Sequence, residues 1–272
     1  MALELLPATV VGVLYALRVH ALRGTPRAVP AWRQACLYGG LALAMAALAV
    51  LGEPAEDRFT WHMAEHLLLG DLATLLVVLG LTGPVLAPVL RRFGALRGLA
   101  HPVVAFVLWA ANLLLWHVPA LHEAAVLHDP VHALQHALFV ALGANVWLAL
   151  LGPLPKPLWF GNGAKLGYIV AVRLTGAALG NVLVFGGRPF FPVYGEGPAD
   201  QNVAGGLMML ESSFLTIGLL CWLFLRAARE AEERQELLEL ASANGVALDP
   251  ARAARAVAAG RSEELRARLT GS

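Results

Sequence analysis

Seven long apolar runs dominate the chain, at positions 3–22, 32–51, 61–81, 102–118, 131–151, 166–186 and 203–225. Each approaches the roughly 20 mostly apolar residues that a helix needs to cross a bilayer. The runs are continuous and do not alternate, which argues against the strands of a membrane barrel. Of the 272 residues, 58% are hydrophobic and only 14% charged, against roughly 25% charged in a soluble domain. So few charges cannot solvate a large surface, and a soluble enzyme is excluded. A net charge of +1 supplies no basic field for nucleic acid. Two cysteines build neither a disulfide framework nor a Cys-rich zinc module. The expected fold is an all-α polytopic bundle of seven spans embedded in the lipid bilayer.

Lysine and arginine stay preferentially on the cytoplasmic side, and their placement orients the bundle. Arg18, Arg23, Arg27 and Arg33 flank the first connection, Arg91, Arg92 and Arg97 the third, and Lys156 and Lys165 the fifth. The alternate connections hold only Arg58 and Arg188. This puts the N-terminus outside and the C-terminus in the cytoplasm. No basic residue precedes the first apolar run and Glu4 lies inside it, so that run reads as a retained helix and not a secretory signal. Pro84 and Pro88 follow the third run and predict a kinked extension. The domain division is a transmembrane domain over 1–225 and a charged, helical cytoplasmic tail over 226–272. In the tail, Asp249 before Pro250 predicts a helix start and Gly260 a break. The tail is too short to promise much of a core.

Of nine histidines, seven fall at or near the outer face under this topology: His62, His66, His117, His122, His128, His132 and His136. Histidine is the commonest transition-metal ligand and is expensive to leave unpaired in a bilayer. His62 and His66 are spaced i, i+4, as are His132 and His136, so each pair projects from one helix face. Asp129-Pro130 predicts the start of the second of these helices. Met63 lies beside the first pair and Met208 in the last run. Imidazole with thioether suits copper, Cu(I) in particular, better than magnesium or calcium. The predicted ligands are His62 and His66, then His132, His136 and His117, with Met63 and Met208 as auxiliaries. Glu65, Asp200 and Glu211 are expected to support them as neighbouring carboxylates. Arg173, within the sixth run, calls for a partner such as Asp71 or Glu211. Cys36 and Cys221 read as small core residues.

His62-Met63-Ala64-Glu65-His66 resembles the H-M-x-x-H motif of the polytopic, seven-span CtaG-type cytochrome c oxidase assembly factors. Three further segments are similar to that family's landmarks and come in the same order. They are Trp116-His117-Val118-Pro119-Ala120-Leu121, His132-Ala133-Leu134-Gln135-His136 followed by Trp147, and Asp200-Gln201 with Ala204-Gly205 and Met208. Leu67, His122, Asn202 and Met209 depart from the pattern. The likeness covers about residues 3–225 and leaves out the tail. It implies a non-enzymatic role in maturing a haem–copper terminal oxidase, with an oxidase subunit as partner and copper handled at the outer face of a bacterial cell membrane.

Other readings of the same residues remain open. His62-Met63-Ala64-Glu65-His66 also satisfies H-x-x-E-H, the pattern of zinc metalloproteases in which the glutamate acts as base. Histidines on two helices could ligate haem in an electron carrier. A transporter for copper or another small solute is disfavoured, because the polar residues gather at one face and form no path across the membrane.

Overall fold

The structure, a computed structural model, describes residues 2–258 and 260–270, apart from the side chains at 2–5, 96 and 97. Among the described residues it is helical throughout, with no strand. Its helices are α1 (Ala2–Leu22), α2 (Ala31–Asp57), α3 (Phe59–Gly80), α4 (Gly83–Arg92), α5 (Pro102–Trp116) and α6 (Pro119–Leu127). They continue with α7 (Asp129–Leu150), α8 (Asn162–Phe185), α9 (Ala199–Ala243), α10 (Pro250–Ala258) and α11 (Ser262–Thr270). Five of them, α2, α3, α7, α8 and α9, are long and apolar enough to span a membrane. Together α5 and α6 make a sixth candidate, bent by 75°. The chain is therefore a multi-pass membrane protein with five to six candidate spans, where the sequence led us to expect seven. Outside the five single-helix candidates are the fourth run, which falls on the bent pair, and the first, whose described apolar stretch is Leu6–Leu22.

Local chemistry places the breaks. Proline lacks an N–H and suits the first turn of a helix, and α5, α6 and α7 all carry one in their first turn, at Pro102, Pro119 and Pro130. Pro119 lies just past the end of α5 at Trp116, which is where the bend falls. Leu81 is extended, so the expected kinked continuation is instead a separate helix, α4, capped by the Thr82 hydroxyl accepting from the Val85 N–H.

Contacts divide the chain into two compact units, 1–215 and 216–272, with α9 crossing the boundary. In the first unit α3 is central, packed against α2 and α7, while α5 packs on α7 and α8. Glycines permit the closest approaches: a Cβ at Gly143 of α7 would overlap the Gly70 carbonyl of α3. Gly180 of α8 faces Gly205 of α9 in the same way. Large apolar side chains such as Leu17, Leu174, Phe185 and Phe214 stand exposed, as a lipid-facing surface requires. Cys36 is half-buried and Cys221 exposed, so neither is the core residue expected from sequence. A cysteine passes for a small hydrophobe on lipid-facing and core-facing positions alike, and sequence does not separate the two.

The second unit has more of a core than its length promised. Leu237 and Ala241 of α9 are covered by Val257 of α10 and by Leu265 and Leu269 of α11. Asp249 Oδ1 accepts from the Ala251 N–H at 3.0 Å at the start of α10, and Gly260, at φ +66°, lies in the connection to α11. Arg266 pairs with Glu236 at 2.8 Å.

Candidate metal centre

Helix α3 carries four of the predicted residues, His62, Met63, Glu65 and His66, and its first turn is held from another helix. Asp200, at the start of α9, accepts from the Thr60 hydroxyl at 2.6 Å and from the Thr60 backbone N–H at 3.4 Å. That N–H is one of the donors a helix leaves unsatisfied at its N-terminus, where a negative charge is favoured. Asp200 therefore fixes the turn from which His62 projects and is absent from the donor sets described below. Its neighbour Gln201 ties down the approach to α9: it donates to the Leu183 and Arg188 carbonyls and accepts from the Phe190 N–H at 2.7 Å.

The two histidine pairs meet. His62 and His66 stand Nε2 to Nε2 at 2.9 Å. Two nitrogens bound to one ion at about 2.0–2.1 Å lie roughly 3.3 Å apart at a tetrahedral angle, so the pair already stands near chelating spacing. His132 of α7 brings a ligand atom within 4.8 Å of both. A second set, Glu65, His132 and His136, satisfies the same limit, with His136 Nε2 3.5 Å from Glu65 Oε2. His62, Glu65 and His66 are buried, Glu65 completely. Neither Glu65 oxygen, nor His66 Nδ1, nor either ring nitrogen of His136 has a hydrogen-bond partner among the described residues. Buried polar atoms without partners are costly, so this donor set fits a bound cation. Imidazole with one carboxylate suits copper or zinc.

Aromatic side chains close the site on one side. His122 is fully buried, its ring 4.8 Å from His62, 5.3 Å from Phe59 and 4.4 Å from Phe191. Its Nε2 lies 3.1 Å from the Tyr194 hydroxyl. Burial and the nearby carboxylates of Asp200 and Glu65 push the Tyr194 phenol well above its ordinary pKa, so at neutral pH it keeps its proton. His122 and Tyr194 are absent from the ligand set read from sequence. His122 is five positions beyond His117, off any helical register with it until the bend between α5 and α6 is known.

The remaining predicted residues lie elsewhere. His117 bonds the Leu113 carbonyl through Nδ1 at 2.8 Å and belongs to neither donor set. Met63 and Met208 lie in one apolar cluster with Phe59, Leu183, Phe191 and Ala204. His128 is exposed. Glu211 faces Arg173 at 3.1 Å, and Asp71 holds the same guanidinium at 2.9 Å. Arg173 also stacks over Trp147 at 5.4 Å. Asp71 lies in a π-helical turn, Leu68–Ala73, of a kind often found at functional sites. Two carbonyls of this turn are satisfied from outside the ladder: Gly70 by the Thr74 hydroxyl and Asp71 by the Trp147 indole at 3.0 Å.

The fold and site thus define a multi-pass helical membrane protein with a buried imidazole–carboxylate cluster between two helices. Residues 13–230 match the cytochrome c oxidase caa3 assembly factor family (Caa3_CtaG), and the chain belongs to it. It is also similar to two uncharacterised proteins, Mb0105 of Mycobacterium bovis and MT0111 of Mycobacterium tuberculosis. Each is 28% identical over 228 residues, covering 73% of this chain and 34% of the relative. The chain therefore spans about a third of the length of these curated relatives. No solved structure matches it.

Proposed function

We propose that this protein binds copper within the cluster formed by His62, His66, His132 and His136 and supports its insertion into a haem–copper cytochrome c oxidase, with a subunit of that oxidase as partner. The observation that carries this reading is the buried donor cluster itself. Four imidazoles on two helices cluster with a fully buried carboxylate that accepts no hydrogen bond among the described residues, and a cation supplies what that arrangement lacks. Membership of an oxidase assembly family supplies the client. The basic residues favour an N-terminus outside and a C-terminus in the cytoplasm of a bacterial cell membrane. That orientation requires α1 to complete a seventh span and puts the cluster at the outer face. Copper is here cargo, held by neutral imidazoles until it is passed on, with no bond made or broken in a substrate.

The test is genetic and analytical. In cells lacking the protein, the terminal oxidase is expected to be deficient in copper and activity, and the wild-type chain to restore both. His62→Ala/His66→Ala, present in the membrane at the wild-type level, is expected to restore neither. Full restoration by that variant contradicts the proposal.

A further inference from the structure

The two donor sets have one member in common. His62, His66 and His132 form an all-imidazole set, and Glu65, His132 and His136 form a set with one carboxylate. Within each set the ligand atoms lie within 4.8 Å of one another, and each residue offers a single atom. Both sets are built on the same pair of helix faces. His62, Glu65 and His66 come from α3, and His132 and His136 lie one turn apart on α7. Nothing covalent separates the sets, and the only ligand an ion in either must share with the other is His132.

We infer that the cluster provides two overlapping metal positions that share His132, so that it holds one ion at a time and sorts ions by charge. This deepens the copper reading above and rests on it. The first position offers three neutral nitrogens, which suit Cu(I). An ion there leaves Glu65 beside it as a counter-charge, and a monovalent ion with one carboxylate is neutral overall. The second position includes the Glu65 carboxylate directly, a harder donor that favours a divalent ion such as Zn(II). Simultaneous occupation is disfavoured twice. Both ions would depend on the one His132 ring, and two cations beside a single buried carboxylate leave net positive charge in a medium that solvates it poorly. Because His132 is common, an ion arriving at one position releases the ion at the other by exchange of that ligand. A copper-handling protein gains from this a way to hold a divalent ion and surrender it when Cu(I) arrives.

The experiment uses the full chain purified in detergent, with Cu(I) supplied anaerobically and Zn(II) supplied separately. Each is titrated against a chromophoric competitor, and helix content is recorded for every variant by circular dichroism. Wild type is expected to take one equivalent of either ion, and Cu(I) to displace Zn(II) one for one. Glu65→Gln preserves shape and removes the charge. It is expected to weaken Zn(II) at least 10-fold, in the range typical of losing a coordinating or supporting group, and to weaken Cu(I), which loses only a neighbouring counter-charge, by a smaller factor. His62→Ala/His66→Ala is expected to do the reverse. Retention of Cu(I) and Zn(II) together, or equal effects of Glu65→Gln on both ions, overturns the shared-ligand inference and leaves copper binding standing. A folded wild type that takes up neither ion overturns the copper reading as well.

Discussion

Helix α3 carries two buried polar groups of residues, and they differ in one respect. Around Arg173 the protein supplies its own cation: Asp71 and Glu211 both reach the guanidinium, and Trp147 lies under it. Beside Glu65 stand the imidazoles of His132 and His136, and among the described residues neither carboxylate oxygen accepts a hydrogen bond. Both groups are mostly buried, and both bridge α3 to other helices. One is paired within the protein, and the other holds buried polar atoms without hydrogen-bond partners among the described residues. The Arg173 group ties helices together, and the Glu65 group is where the proposed copper would bind.

The largest effect should come from breaking the Arg173 group. Arg173→Met leaves two buried carboxylates facing each other and should destabilise the protein by about 3–5 kcal/mol, the usual result of removing one partner from a buried ion pair. Replacing all three, as Arg173→Met/Asp71→Leu/Glu211→Leu, should return stability close to wild type. Thermal unfolding in detergent reads both variants. A triple variant as unstable as the single one would show that the triad contributes more than charge compensation.

Gly143→Ala comes next, because its new methyl group meets the Gly70 carbonyl of α3. Overpacking of this kind typically costs about 1–3 kcal/mol. Separation of α7 from α3 should also weaken metal binding, since the donor sets draw on both helices. A variant that melts lower yet binds metal with unchanged affinity would uncouple the helix contact from the site.

Glu65→Gln should move stability the other way in metal-free protein. It gives the side chain two N–H donors that neighbouring imidazole nitrogens can accept, and an unsatisfied buried group costs about 1–3 kcal/mol, so the apo form should melt higher than wild type. Stabilisation by added Zn(II) should shrink at the same time. The smallest effect is expected at Asp249→Ala. It removes the side chain that accepts from the Ala251 N–H and should cost about 1 kcal/mol, seen as earlier fraying of α10 by hydrogen exchange.

These two groups were not equally legible in the sequence. The i, i+4 spacing of His62/His66 and His132/His136 is a local property, and the structure does bring the pairs together. The need of Arg173 for a partner was readable from its place in an apolar run, and both named candidates reach it. What escaped was set by tertiary geometry. Asp200 and Glu211 share a helix face with Met208 in α9, yet each goes to a different partner: Thr60, Arg173 and an apolar cluster. The bend between α5 and α6 turns His122 toward His62 and leaves His117 on a backbone carbonyl, and periodicity along one axis does not carry across a 75° break. The π-helical turn that carries Asp71 has no signature in the residue pattern, because it depends on the Trp147 indole and the Thr74 hydroxyl satisfying the carbonyls it frees.

The most direct measurement is the copper content of detergent-purified wild type beside His62→Ala/His66→Ala, after Cu(I) loading and desalting, with both proteins matched for helix content. One copper per chain in the wild type and almost none in the variant is the predicted result. No retained copper in a folded wild type, or equal copper in both proteins, contradicts a metal centre built on these histidines.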